Sequence, residues 1–291
     1  MNAYWTIPVL AAIAGCTDTQ VPAPPANTGP TVYAVNYPLQ YMARRIGGDV
    51  VDVVFPCPAG VDPADWRPDD ATVEACQGAD LILLNGADYA RWTRAASLPP
   101  SRLVDTSASF RDDYIETERG LTHGHGPDGE HTHGRIAFTT WLDPVQAIAQ
   151  ASTIRDAFAS RWPEHNAGFE AGFESLRADL ASLDDRLGPL LAASDGPLLF
   201  AQPVYQYLAR RYGLDAVSFH WEPDEMPADD QWQLVASQPA TLMIWQAQPD
   251  AAIARRLESL GITSVVFSPC ANTPDDGDFL SVMEANLRNL D

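Results

Sequence analysis

The stretch EHNAGFEAGFESLRADLASLDDRLGPLL, residues 164–191, decides the fold of this chain. Apolar side chains recur in it at spacings of three and four: Phe169, Phe173, Leu176, Leu180, Leu183, Leu187 and Leu190. This period predicts one long amphipathic α-helix with a single buried stripe, which we interpret as structural. About 25 residues at ~1.5 Å each reach roughly 37 Å, enough to span two lobes as a stiff connector.

Short apolar runs alternate with amphipathic patterns on both sides of this helix. Before it, the sequence predicts strands at residues 31–36, 50–55, 81–85 and 103–105, and helices at 39–46 and 69–77. After it, strands are predicted at 197–201, 217–219, 241–245 and 264–267, and helices at 204–212, 229–237 and 250–260. Strands and helices in alternation indicate parallel sheets covered by helices. The predicted fold class is therefore α/β, with two lobes joined by one long helix.

The first residues indicate export from the cytoplasm. An apolar stretch, residues 7–14, leads into Ile13-Ala14-Gly15-Cys16, which resembles the lipobox of bacterial lipoproteins. The stretch is too short to span a membrane. We predict a signal peptide over residues 1–16 with acylation of Cys16, followed by a flexible tether over residues 17–30. The mature chain is then periplasmic or on the cell surface, attached to a membrane only through lipidated Cys16.

The charge of the chain is strongly acidic. Its 39 Asp and Glu residues oppose 18 basic residues, all arginine, which gives a net charge of −21. Such a surface repels nucleic acid and offers no polybasic patch to anionic lipid, so we exclude both as charge-driven partners. A salt-tolerant organism favours this composition because salt screens the self-repulsion, and simple genomic bias is the alternative explanation.

Four of the six histidines lie in one short motif, His123-Gly-His125-Gly-Pro-Asp-Gly-Glu-His131-Thr-His133. The residue types of Pro127-Asp128-Gly129 are those of a turn, so a reversal there would place His123 opposite His133 and His125 opposite His131. Neutral imidazole binds Zn, Cu and Ni, so we predict that these four side chains bind metal, with Zn²⁺ the expected ion. The alternative is a solvated glycine-rich loop that binds metal only adventitiously.

The other three cysteines need separate interpretations. Cys76 lies in a helical pattern and is expected to be a buried apolar residue. Cys57 and Cys270 each follow a strand-like run, so both are expected at strand ends that line a cleft. A disulfide, ligation of a soft metal and free thiols all remain open.

Ordered motifs run from about residue 31 to the C-terminus: NYPL (36–39), RIGGD (45–49), PAGVDPADWRP (58–68), ADL (79–81), NG (85–86), WLDP (141–144) and YLARRYGL (207–214). Together they resemble the zinc and manganese solute-binding proteins of ABC importers, the ZnuA/TroA-like family, whose zinc members also carry a histidine-rich loop before WLDP. The resemblance implies two Rossmann-like lobes, a rigid linking helix and a metal site in the cleft between them. The N-terminal lobe would cover residues 31–163 with the histidine-rich loop at 120–135, the linking helix 164–192 and the C-terminal lobe 193–291.

The chain departs from the family at all four ligand positions that the resemblance implies. The family presents histidines where this chain has Ala64, Thr139 and Gln202, and a carboxylate where it has Ser268. Neutral amide and hydroxyl groups are poor substitutes for imidazole and carboxylate. We therefore predict a degenerate cleft site.

Several nearby side chains are candidate replacements: Cys57, Asp62, Asp65, His220, Glu222 and Cys270. Each has a plainer interpretation. Asp62 and Asp65 flank a turn, and His220-Trp221-Glu222 fits a surface loop, while Asp143 is expected to cap a helix rather than bind metal.

The sequence thus predicts an extracytoplasmic solute-binding lipoprotein of an ABC importer, which captures zinc or a related divalent metal on the histidine-rich loop. Its expected partners are the importer permease and the metal ion, and we expect a monomer. One alternative is a receptor for a small polar non-metal solute, in a cleft near Trp66, Trp141, Tyr205 and Trp245. Another is a ligand-free interaction protein that keeps the fold. No nucleophile motif, phosphate loop or His-Glu-x-x-His frame is present, so we predict no enzyme.

Overall fold

Two four-stranded sheets, one in each half of the chain, form the frame of the computed structural model. The structure describes residues 29–117, 136–193 and 196–291, together with the backbone of residues 123–124 and 130–131. The strands are β1 Thr31–Ala34, β2 Asp52–Val54, β3 Leu81–Leu84, β4 Leu103–Asp105, β5 His123–Gly124, β6 Glu130–His131, β7 Leu198–Phe200, β8 Ala216–Ser218, β9 Leu242–Trp245 and β10 Thr263–Val266. The α-helices are α1 Tyr37–Gly47, α2 Asp70–Gly78, α3 Trp92–Ala95, α4 Pro144–Arg161, α5 Asn166–Ala192, α6 Gln206–Tyr212, α7 Asp229–Ala236, α8 Ala251–Ser259 and α9 Phe279–Leu290. Short 3-10 helices lie at Pro100–Arg102, Ala108–Asp113, Thr140–Leu142 and Pro163–His165.

The two sheets have the same topology. Their strand orders are β2-β1-β3-β4 and β10-β9-β7-β8, and every strand pair in them is parallel. In each sheet the first strand of the lobe is internal, and the strand order reverses beside it. Open α/β sheets bind ligands outside the carboxyl ends of the strands at such a reversal. The predicted two-lobe α/β fold is confirmed, and the loops after β1 and β7 are the natural place for a site.

Aspartate side chains begin several helices. Asp69 accepts a hydrogen bond from Thr72 N at 2.8 Å at the start of α2. Asp143 accepts one from Val145 N at 2.9 Å at the start of α4, which is the predicted capping role. An N-terminal carboxylate satisfies a free backbone N–H and interacts favourably with the helix dipole. Part of the acid excess therefore stabilises helix ends.

Helix α5 connects the lobes by packing against α1 and α4 of the N-terminal half and against α6 and α9 of the C-terminal half. Its buried side chains follow the predicted stripe from Phe169 to Leu187. The last buried position is Leu191, whereas Leu190, which was predicted, is only half-buried. Steps of three and four both keep a residue on one helix face, so periodicity alone does not choose between these two leucines.

Helix α9 was not predicted from the sequence. Its buried positions include the polar Asn286 beside Met283 and Leu287, and this interrupts the apolar period that identifies an amphipathic helix. Among the described residues, no helix has the length and apolar character needed to cross a membrane.

Gly172 lies at a close approach of α5 to α1. A Cβ at this position would lie 2.6 Å from the Arg45 carbonyl oxygen and 2.9 Å from the Ile46 carbonyl oxygen, both backbone atoms that cannot rotate away. We expect Gly172→Ala to lower the free energy of unfolding by about 1–3 kcal/mol, measured by denaturant unfolding. Gly168 lies in the same helix with open space around it. Gly168→Ala is the matched control and should be neutral or stabilising by about 0.5–1 kcal/mol. A Gly172→Ala variant as stable as the parent would contradict the close packing.

Candidate functional site

Hydrogen bonds join the two lobes along a line that we call the interlobe seam, which runs between residues 137–141 and the loops that follow β7 and β10. The Trp141 indole N–H donates to the Pro269 carbonyl oxygen at 2.8 Å. The Thr139 hydroxyl donates to the Val204 carbonyl oxygen. Because these loops leave the carboxyl ends of parallel strands, the seam lies where α/β folds bind ligands.

Gln202, the third position that the resemblance matches to a ligand, is buried on the seam. Its Nε2 donates to the Trp221 carbonyl oxygen at 3.1 Å and to Glu222 Oε1 at 2.6 Å. Glu222, a candidate replacement ligand, is thus brought beside a family ligand position. It accepts an amide hydrogen bond there.

Ser268 and Ala64 complete the set of four. Ser268 Oγ accepts a hydrogen bond from Cys270 N at 3.2 Å, and the Ser268 backbone bonds both ways with the Asn286 amide, each at 2.9 Å. Ala64 is buried and offers only a methyl group. Its N–H donates to Asp62 Oδ1 at 2.9 Å, so Asp62 has the predicted turn role.

The cysteines of the described chain are all free thiols and all buried. Burial, together with Asp62, raises the pKa of Cys57 to about 11, and burial, together with Asp278, raises the pKa of Cys270 to about 12. Burial likewise raises the pKa of Cys76, in α2, to about 11. The thiolate is the form that binds metal. At neutral pH these thiols are therefore protonated when no metal is bound.

The remaining candidate replacements do not assemble into a site. Asp65 and His220 are exposed, one on the loop after β2 and the other on the loop after β8. Across the ranges that the structure describes, no three His, Cys, Asp or Glu side chains cluster closely enough to hold a metal ion. Cys16 and the side chains of the four loop histidines lie outside the described residues.

The backbone of the histidine-rich loop folds back as predicted, but in a different register. Strands β5 and β6 pair antiparallel, with His123 opposite His131 and Gly124 opposite Glu130. The predicted pairs, His123 with His133 and His125 with His131, are wrong. The observed pairing is centred on position 127 rather than 128.

The base of this loop is attached to the C-terminal lobe. Ala137 N donates to the Ile115 carbonyl oxygen at 2.9 Å, and Glu116 pairs with Ile136 as an isolated antiparallel bridge. The Tyr207 hydroxyl, from α6, donates to the Ala137 carbonyl oxygen at 2.9 Å and accepts from Ile115 N at 3.3 Å. The histidine-rich segment therefore leaves and re-enters the fold beside the seam, close to Thr139 in the sequence.

The aromatic residues expected around the cleft have other roles. Trp141, Tyr205 and Trp245 are at most 2% exposed and pack in the core, so they offer almost no surface to a solute in a nearby cleft. Trp66 is half-buried and lines an open cavity in the N-terminal lobe with Trp92. Sequence patterns did not separate these cases, because large aromatic residues occupy cores and binding sites alike.

Asn272 is a seam residue that the sequence analysis missed. Its Nδ2, in the loop after β10, donates to the carbonyl oxygens of Pro58 and Val61, both at 2.7 Å, and lies 3.8 Å from Cys57 Sγ. These hydrogen bonds hold the loop that carries Ala64 against the C-terminal lobe. Because Pro58 and Val61 are more than 200 residues from Asn272 in the chain, no local sequence pattern predicts this role.

Comparison with known proteins gives one family. A family model described as zinc-uptake complex component A, periplasmic (ZnuA), matches residues 32–291. The high-affinity zinc uptake system protein ZnuA of Bacillus subtilis is 26% identical over 222 residues, which are 74% of this chain and 70% of that protein. The iron-binding protein YfeA of Yersinia pestis is 26% identical over 187 residues, 62% of this chain and 55% of its own length.

A solved structure confirms the fold. The Zn(II)-bound ZnuA-like domain of Streptococcus pneumoniae AdcA superimposes with a TM-score of 0.75 at 20% identity, covering 90% of this chain and 97% of that domain. The family model extends over both lobes and the linking helix. Its members bind metals for transport and do not catalyse reactions. This chain therefore belongs to the ZnuA family of metal-binding, substrate-binding proteins of ABC transporters, and it is not an enzyme.

Proposed function

We propose that this chain collects a divalent metal, zinc above all, on His123, His125, His131 and His133 and delivers it to the permease of an ABC importer. The interlobe seam, in this proposal, holds no metal of its own. Family membership supports the transport role, and the names of its relatives include zinc and iron proteins. The histidine-rich motif supports zinc, because clustered imidazoles suit that ion.

The proposal rests on the residue types at the four family ligand positions, none of which is an imidazole or a carboxylate. Ala64 has no atom that could bind a metal, and Thr139 and Gln202 offer only a neutral hydroxyl oxygen and a neutral amide oxygen. Their O–H and N–H groups donate to the Val204 carbonyl oxygen, to the Trp221 carbonyl oxygen and to Glu222, which holds both side chains in place. A metal there would gain only neutral oxygen donors, which bind zinc weakly. The imidazoles of the loop are the better ligands.

The contacts at the base of the loop support delivery of the metal to the permease from the side of the protein where the seam lies. Tyr207 holds Ile115 and Ala137 together at the point where the histidine-rich segment leaves the lobes. Metal collected on the loop would be presented beside the seam, on the face formed by both lobes. We further propose that the protein is extracytoplasmic and monomeric, and that acylated Cys16 holds it on the membrane where the permease lies.

The experiment is metal analysis of the full-length protein extracted from bacterial membranes in detergent without chelator. We expect the protein in the membrane fraction, with zinc in at least stoichiometric amount and above other divalent metals by mass-resolved analysis. A Cys16→Ser variant is the control for the anchor and should appear in the soluble fraction. Metal-free protein from zinc-supplemented cells would contradict the metal role, and a Cys16→Ser variant retained in salt-washed membranes would contradict the anchor.

A second candidate function, reception of a non-metal solute, has one observation in its favour. The cavity beside Trp66 is open and has the size of a small-molecule site, and no histidine is among the described residues that line it. A ligand in this cavity would bind independently of the metal.

A further inference from the structure

An open cavity of about 680 Å³ lies in the N-terminal lobe, between the loop after β2 and helices α2 and α3. Small-molecule sites in proteins measure roughly 300–1,000 Å³. Trp66 from the loop, Val73 from α2 and Trp92 from α3 supply its apolar surface. Of the four family ligand positions only Ala64 reaches it, so the cavity opens beside the seam without being part of it.

The two indoles give the cavity an aromatic character. Trp66 and Trp92 meet edge to face, with ring centroids 6.1 Å apart and an interplanar angle of 78°. Both are only half-buried, which leaves ring surface open to a ligand. The indole N–H of Trp92 is shielded from solvent and has no acceptor among the described residues. A planar ring that carries an acceptor oxygen complements such a surface.

Four charged residues line the cavity: Asp65, Arg67, Asp70 and Arg91. Arg91 lies 3.9 Å from Asp88, and Asp70 stands in the first turn of α2, where its charge is favourable to the helix. Arg67 is exposed, lines the cavity and has no ion pair or hydrogen bond within the described part of the chain. A guanidinium binds a carboxylate through two parallel hydrogen bonds. Arg67 and Arg91 balance Asp65 and Asp70, so the lining carries no net charge in a chain whose net charge is −21.

We propose that this cavity binds a small aromatic carboxylate, with its ring against Trp66 and Trp92 and its carboxylate on Arg67. A non-aromatic anion would leave the two indole rings exposed to water, and an aromatic cation would be repelled by the charge of Arg67. The site uses no metal and no residue of the histidine-rich loop. Its success or failure is therefore separate from that of the proposed metal role.

The test is isothermal titration of the full-length protein, in detergent and EDTA, with 2-naphthoate and its uncharged isostere 2-naphthamide. We expect saturable binding of 2-naphthoate and at least about tenfold weaker binding of 2-naphthamide, because a hydrogen-bonded charge is lost. Arg67→Gln should weaken 2-naphthoate by at least about tenfold and leave 2-naphthamide almost unchanged. Trp66→Leu should weaken both ligands, since both present the same ring.

The matched control is Arg255→Gln, at an exposed arginine of α8 that likewise has no ion pair in the described ranges. It should bind 2-naphthoate like the parent. Absence of saturable 2-naphthoate binding would overturn the proposal. So would an Arg67→Gln variant with unchanged affinity, or equal binding of 2-naphthylmethylamine, which would assign the cavity to cations.

Discussion

Replacing His123, His125, His131 and His133 together by serine is expected to remove most zinc binding by this protein. The four imidazoles are the densest set of strong neutral donors in the chain, and serine hydroxyls bind zinc poorly. The melting temperature of the metal-free protein should not change, because surface-loop residues can be replaced without disturbing a core. Isothermal titration with zinc measures the loss, and a thermal melt in EDTA checks the fold.

The matched control replaces the other two histidines, His165 and His220, by serine. Both are exposed and lie outside the histidine-rich motif in the sequence, so this variant should bind zinc like the parent. Tight zinc binding that survives in the fourfold loop variant would show that the metal is held elsewhere, with Glu222 and His220 the first residues to replace.

Restoring the family ligands is expected to create a zinc site where none exists. The variant combines Ala64→His, Thr139→His, Gln202→His and Ser268→Asp in a chain whose histidine-rich segment has been removed. Three imidazoles and one carboxylate satisfy a tetrahedral zinc. Binding at a hundredfold excess over Kd stabilises the folded state by about 2.7 kcal/mol, or roughly 5–10 °C in Tm for a chain of this size.

The restored variant should be less stable than its parent when no metal is present. Thr139→His and Gln202→His remove buried hydrogen bonds, and Ala64→His adds volume to a buried position. The relevant quantity is therefore the zinc-dependent rise in melting temperature within each variant. A restored variant that folds but gains no stability from zinc would contradict the assignment of these four positions.

The segment can be removed with little strain. Glu116 and Ile136 already face each other as an antiparallel pair at its base. Replacing residues 118–134 by Asn-Gly would close this pair with a two-residue turn of the favoured type. Ile115, Ala137 and Tyr207 lie outside the replaced residues, so their hydrogen bonds should persist.

The fold was largely predictable from the sequence, because the strands of the two four-stranded sheets are short apolar runs, most of them separated by helical patterns. Strand β7 was predicted over residues 197–201 and forms at Leu198–Phe200. The linking helix has an unambiguous period and forms at Asn166–Ala192. The prediction chose Leu190 where the structure buries Leu191, because both steps keep a residue on one helix face. It also missed helices α3 and α9, and of helix α4 it predicted only the cap Asp143.

The site was less predictable, since its geometry depends on contacts between distant residues. Thr139 and Gln202 donate hydrogen bonds to the backbone carbonyl oxygens of Val204 and Trp221. No sequence pattern specifies these pairs. The roles of Asn272 and Tyr207 likewise arise only when the lobes meet. The cavity beside Trp66 depends on the approach of α3, which is too short to show a period.

The most direct test of the account is a zinc titration of the chain with residues 118–134 replaced by Asn-Gly and the four seam positions left as they are. We predict no saturable zinc binding by calorimetry and no zinc-dependent change in melting temperature, because Ala64 has no metal-binding atom and Thr139, Gln202 and Ser268 offer only neutral oxygens, which bind zinc weakly. Zinc binding and stabilisation equal to those of the full-length protein would contradict it, and would place the metal in the seam rather than on the histidine-rich loop.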